Sequence, residues 1–136
     1  MSWPIRSRYR SVSNKYGAKR TETDGYSFAS KLEASVYQIL KLREKAKEIE
    51  ILQTQDHIYL TQARIGYIPD FKCIFLDTNI PFWVEAKGFE TDKWPIIKKL
   101  WRYYGPGVLE IWKGTHINPI LIETISPIRE HNGETN

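Results

Sequence analysis

Apolar and polar positions change period several times along this chain, and each change marks an element. From Ser30 onward, apolar residues recur at Leu32, Val36, Ile39 and Leu40, the spacing of one helix face. Ser30-Lys31-Leu32-Glu33 fits a capping box, in which the Ser and Glu side chains satisfy free amides at a helix start. The pattern predicts a helix from Ser30 to about Lys45 or Lys47, with the charged stretch Arg43–Glu50 as its solvated end. Short β-like runs follow at Ile49–Gln55 and His57–Leu60, then stronger ones at Tyr67–Leu76 and Ile80–Lys87. Asp77-Thr78-Asn79 between the last two suits a tight turn, so they read as a β-hairpin. Pro81 has no amide to donate and belongs at a strand start or on an edge. A second helix is predicted at about Lys93–Tyr104, with Pro95 in its first turn and Gly105-Pro106-Gly107 ending it. Ile97, Leu100, Trp101 and Tyr104 share one of its faces; Lys98, Lys99 and Arg102 share another. Val108–Trp112 and Pro119–Thr124 read as two more strands. The order helix, strands, helix, strands predicts an α/β sandwich with a mixed central sheet.

Residues 1–27 lack periodicity, apart from a short strand near Tyr26–Phe28, and from 127 onward the chain reads as a loose tail. A folded core over 28–126 lies between them, and 136 residues suit one compact domain. Charge sharpens this division. Six of the 20 basic residues and none of the 16 acidic ones fall in residues 1–20, so a basic arm precedes a near-neutral body. Such an arm suits a polyanionic partner, although a solvated tail has the same charge pattern. The single cysteine, Cys73, excludes an internal disulfide framework and a cysteine-rich zinc site. No apolar run is long enough to span a membrane, and the N-terminus lacks the apolar core of a secretory signal. A soluble, cytoplasmic protein is expected.

One constellation carries chemistry: Pro69-Asp70, then Glu85-Ala86-Lys87. Strand period two projects Glu85 and Lys87 from one face, and a hairpin can set Asp70 beside them. Two carboxylates with water and phosphate oxygens suit a hard divalent ion such as Mg²⁺, and a nearby lysine can orient water or stabilise charge on a phosphate. Asp70 also reads as a turn residue, and Glu85 with Lys87 as an exposed pair. Yet an apolar strand, Ile80–Val84, that ends in Glu, Lys and Gly88 makes more sense opening into a cleft than packing. Glu33 by itself needs no role beyond the cap, though one residue off the apolar stripe it can also face the sheet near Asp70.

Pro69-Asp70-Phe71 followed by Val84-Glu85-Ala86-Lys87-Gly88 resembles the PD-(D/E)XK nuclease superfamily. Within it, the chain is most similar to small phage-encoded Holliday-junction resolvases and related endonucleases, over about Lys15–Trp112. The shared stretches include Lys15-Tyr16-Gly17-Ala18-Lys19 and Phe28-Ala29-Ser30-Lys31-Leu32-Glu33. The resemblance implies a restriction-endonuclease-like sheet flanked by helices and Mg²⁺ or Mn²⁺ dependence. It further implies a homodimer acting on branched DNA. It casts Asp70 and Glu85 as metal-binding acids, Glu33 as a third acid of that site, and Lys87 as the catalytic lysine.

DNA would be gripped through its phosphates. The arm offers Arg6, Arg8, Arg10, Lys15, Lys19 and Arg20 for this, and the second helix adds Lys98, Lys99 and Arg102. Trp3, Tyr9 and Tyr16 are interleaved with the arm and suit stacking on bases or packing on the body or a partner subunit. His57, His116 and His131 lack ligand spacing, and His57 reads as a surface or loop residue. Cys73 alternates with Phe71 and Phe75 and reads as buried; Trp83 shares strand parity with Glu85. The expected activity is metal-dependent phosphodiester hydrolysis on branched DNA. A nuclease of the same fold acting on linear DNA and a non-catalytic DNA-binding protein are the alternatives.

Overall fold

The computed structural model describes residues 21–23 and 26–128. The basic residues and interleaved aromatics of the arm, together with His131, lie outside the described residues. Two short strands, β1 (Thr21–Thr23) and β2 (Tyr26–Phe28), pair antiparallel and lead into helix α1 (Lys31–Lys45). The cap of α1 forms as its sequence dictates: Ser30 is extended and its Oγ accepts the Glu33 N–H at 3.1 Å.

Five strands make the central sheet: β3 (Ile49–Thr54), β6 (Phe71–Phe75), β7 (Ile80–Ala86), β8 (Val108–Gly114) and β9 (Pro119–Ile125). Each neighbouring pair is antiparallel except β7–β8, which is parallel and connected through helix α2 (Trp94–Tyr104). A parallel pair needs such a crossover. The sheet is therefore mixed, with a helix on each face. Strand period two explains the division. Phe82 and Val84 of β7 join Leu32, Val36, Tyr37 and Leu40 of α1 in one core, while Trp83 between them joins Trp94 and Trp101 of α2 in the other. Cys73 is fully buried in the α1 core, and burial pushes its thiol well above the ordinary range.

The β6–β7 hairpin turns through 76–79, where Asn79 adopts φ 60° and donates its N–H to Phe75 O. Asn tolerates this left-handed conformation better than most residues. Pro81 sits where β7 is bonded to β6 only, because pairing with β8 begins at Phe82.

Several sequence expectations are revised. The run Tyr67–Leu76 is broken at Ile68–Asp70, where Pro69 contributes no amide. Its first part becomes β5 (Gly66–Tyr67), which pairs with the short β4 (Ile58–Tyr59) outside the main sheet. Arg43 is not a solvated helix end: it pairs with the buried Glu110 at 3.2 Å and lies over the Phe82 ring. Tyr104 is exposed rather than part of the buried face of α2, because the helix ends there at Gly105 and Trp94 and Trp101 fill the core. Beyond β9, Ile128 N–H donates to Arg102 O at 2.7 Å. No helix among the described residues is long and apolar enough to cross a membrane.

Candidate active site

Asp70 and Glu85 meet at the end of the β6–β7 hairpin. The register pairs Phe71 with Val84, so one further step sets Asp70 opposite Glu85. The contact continues past the ladder: Asp70 Oδ2 accepts the Ala86 N–H at 2.8 Å. Gln55, with φ 57°, donates its N–H to Asp70 O from the end of β3 and fixes the chain where β6 begins. On the other side of β7, Lys87 N–H donates to Trp112 O of β8 at 2.8 Å. The segment Glu85–Lys87 is thus held from both sides at the carboxyl end of β7, beside its parallel neighbour. In α/β sheets such ends open into ligand crevices.

Glu85 is buried, and both its oxygens have donors. Oε1 accepts from Tyr67 Oη at 2.7 Å, and Oε2 lies 3.0 Å from Lys87 Nζ. Lys87 Nζ also sits 4.4 Å from the centre of the Trp94 ring, which holds the ammonium over an aromatic face. Glu33, also buried, arrives from the first turn of α1, and its Oε1 accepts the Ala29 N–H at 3.2 Å. The helix start, the hairpin end and β7 therefore converge on one small region.

Electrostatics record the crowding. Burial, followed by the charges of Glu33 and Glu85, pushes the Asp70 carboxyl well above the ordinary range, against the Ala86 N–H and the Lys87 charge. Burial also raises Glu85, opposed by Lys87, the Tyr67 hydroxyl and a backbone bond from Asp70. Burial and the Glu85 charge keep the Tyr67 phenol protonated, so it acts as a donor.

Among the described residues, no group of three or more His, Cys, Asp or Glu closes into a ready metal cage. Glu33 and Glu85 spend oxygens on Ala29, Tyr67 and Lys87 instead. The donor chemistry nevertheless fits a hard divalent cation: all-oxygen carboxylates, with one acid destabilised by burial and by the negative charge of the other two. Glu33, Asp70 and Glu85 are the residues that would hold such an ion.

A cleft of about 450 Å³ opens directly beside Lys87, between the β4–β5 hairpin and the start of α2. His57, Tyr67, Lys93 and Trp94 line it, and sequence reading gave none of them a part in the site. The break at Pro69 hid Tyr67 within a longer strand. The tight passage of Gly66 past His57, where an added Cβ would lie 3.0 Å from Nε2, has no local signature.

The predicted DNA-binding residues of α2 are not alike. Lys98 pairs with Glu123 at 2.8 Å and Arg102 reaches the same carboxylate at 4.0 Å. Lys99 is exposed on the outer side of the helix, beside Ile96 and Tyr103.

Residues 13–117 match the family model described as "Protein of unknown function (DUF1064)", which covers most of the chain. The chain belongs to the DUF1064 family. No curated protein and no solved structure matches it significantly. The DUF1064 match contains every residue of the acidic cluster, Lys87 and the cleft.

Proposed function

We propose that this DUF1064 protein is a divalent-metal-dependent, structure-selective DNA endonuclease, most simply a Holliday-junction resolvase. The observation that carries this reading is the Asp70–Glu85–Lys87 arrangement, with Asp70 bonded to the backbone between Glu85 and Lys87 and Lys87 paired with Glu85. Asp70, Glu85 and Glu33 would hold Mg²⁺ or Mn²⁺, which when bound would polarise a phosphodiester and lower the pKa of water. Lys87, steered by Glu85 and Trp94, offsets the negative charge that builds on the phosphate. Tyr67 fixes Glu85. In the net reaction a water oxygen bonds to phosphorus and one P–O ester bond breaks. The water proton passes to the leaving oxygen, giving a phosphomonoester and a hydroxyl.

The basic excess of residues 1–20 supplies a phosphate grip that an acidic centre lacks. A two-fold homodimer matches the two symmetric strands of a four-way junction. The setting consistent with this reading is the cytoplasm of a host cell, with the protein phage-encoded.

Cleavage of a four-way junction and of linear duplex of the same sequence, with Mg²⁺, tests the proposal. The junction is expected to be nicked preferentially, and Glu85→Ala to bind it without cutting. Preference for linear DNA at fixed sequences moves the assignment to a same-fold nuclease of linear DNA. Absence of cutting with both Mg²⁺ and Mn²⁺ overturns it in favour of a non-catalytic DNA-binding protein.

A further inference from the structure

The cleft beside Lys87 has its own chemical character. Its volume, about 450 Å³, lies within the range of about 300–1,000 Å³ common to small-ligand sites. Lys87, Lys93, His57 and Thr91 contribute polar groups to its wall, whereas Ile68 and Ile97 contribute apolar surface. None of the described residues lining it is acidic. Lys93 is exposed and its side chain caps nothing at the start of α2. Cationic side chains and apolar groups in one wall match a phosphate joined to a base, and a volume of this size admits one nucleotide rather than a duplex.

We propose that this cleft receives a single unpaired deoxynucleotide adjoining the scissile phosphodiester, with Lys93 and His57 on its phosphate and Ile68 and Ile97 against its base. This rests on reading the neighbouring acids as a nuclease centre. It gives structure selectivity a physical origin. A base can enter the cleft only after leaving its stack, and that step is cheapest where pairing is already broken, as at a branch point. Sequence readout is not required, because apolar contact with a base face is tolerant of its identity.

The test is a titration of the full-length, metal-free protein with thymidine 5′-monophosphate, followed by amide shifts in ¹H–¹⁵N spectra. Inorganic phosphate and thymidine serve as separate probes. The nucleotide is expected to shift the amides of Gly66, Thr91 and Ile97, and to bind more tightly than either probe. Lys93→Glu is expected to weaken binding about tenfold, the loss of one charge-assisted contact. Lys45→Glu, on the exposed side of α1, makes the same charge change away from the cleft and is expected to leave binding unchanged. Unmoved cleft amides, or equal weakening by the two variants, overturns the proposal. Since the titration needs neither metal nor cleavage, a protein that cuts junctions but leaves these amides unmoved refutes the cleft alone. A protein that binds the nucleotide there but cuts nothing refutes the nuclease reading and leaves the cleft as a nucleotide site.

Discussion

Asp70 Oδ2 accepts the backbone N–H of Ala86 at 2.8 Å, so the acid of one strand holds the backbone between the acid and the lysine of the next. Its carboxylate is at the same time destabilised by burial and by Glu33 and Glu85. A carboxyl whose folded pKa is raised favours the fold while protonated, below its unfolded pKa, and that advantage is lost as pH rises through the folded value. At neutral pH, metal-free Asp70→Asn is therefore expected to melt higher than the wild type, because it keeps an acceptor for Ala86 and drops the charge. Asp70→Ala is expected to be less stable than Asp70→Asn by about 1 kcal/mol, the worth of the lost hydrogen bond, and so to melt lower. Mn²⁺ should raise the melting temperature of the wild type only. Thermal melts of the three proteins with and without Mn²⁺ check this; a metal-free Asp70→Asn that melts below the wild type refutes it.

On the proposed nuclease reading, Lys87 acts through its charge, and Glu85 and Trp94 position it. Lys87→Met is expected to lower single-turnover cleavage by about 10²–10³-fold, in the range of losing one transition-state donor. Junction affinity should change little, since a single phosphate contact is a small part of the total. Affinity falling in step with rate would instead assign Lys87 to binding.

Glu44 sets an opposite pH slope. Burial pushes its carboxyl up, but the Lys41 ammonium at 2.7 Å and the Ile51 N–H at 3.0 Å outweigh this and hold it below the ordinary range. Its carboxylate therefore stabilises the fold above its unfolded pKa of about 4.3, and that contribution disappears as pH falls through the lower folded value. Denaturant titrations across the acid range are expected to show a shallower loss of stability in Glu44→Gln than in the wild type. Parallel curves would contradict this.

Salt dependence separates the lysines of α2. Glu123 already neutralises part of Lys98 and Arg102, while Lys99 projects outward. If α2 contacts DNA, Lys99→Ala is expected to reduce the log–log salt slope of junction binding by about 0.9, and Lys98→Ala by less. Fluorescence anisotropy at several salt concentrations measures both slopes.

What the sequence disclosed was local, and what it concealed was tertiary. Ser30 and Gly105 mark helix ends by capping chemistry, and 77–79 marks a turn by residue type, so both helices and the β6–β7 hairpin were readable. Glu85 and Lys87 stood out because charged residues end an otherwise apolar strand. The break before Asp70 was not readable, since Tyr67, Ile68 and Phe71 continue a β-like pattern through Pro69. That break sends Tyr67 into a separate hairpin and lets its hydroxyl reach Glu85. Arg43 looked solvated because its partner, Glu110, lies far along the chain on β8. The cleft depends on β5 and α2 approaching each other, which no local pattern encodes.

The short turn of the β6–β7 hairpin has a kinetic consequence. Closing a loop through 76–79 costs little chain entropy, so Asp70, Glu85 and Lys87 can assemble early in folding. Glu33 is delivered only when α1 docks against the sheet. The Glu33 charge, the largest source of Asp70 destabilisation after burial, therefore comes with α1 and not with the hairpin. Stopped-flow refolding and unfolding are expected to place the gain from Asp70→Asn in slower unfolding, with the folding rate little changed. The site would thus weigh on how long the native state lasts rather than on how quickly it is reached.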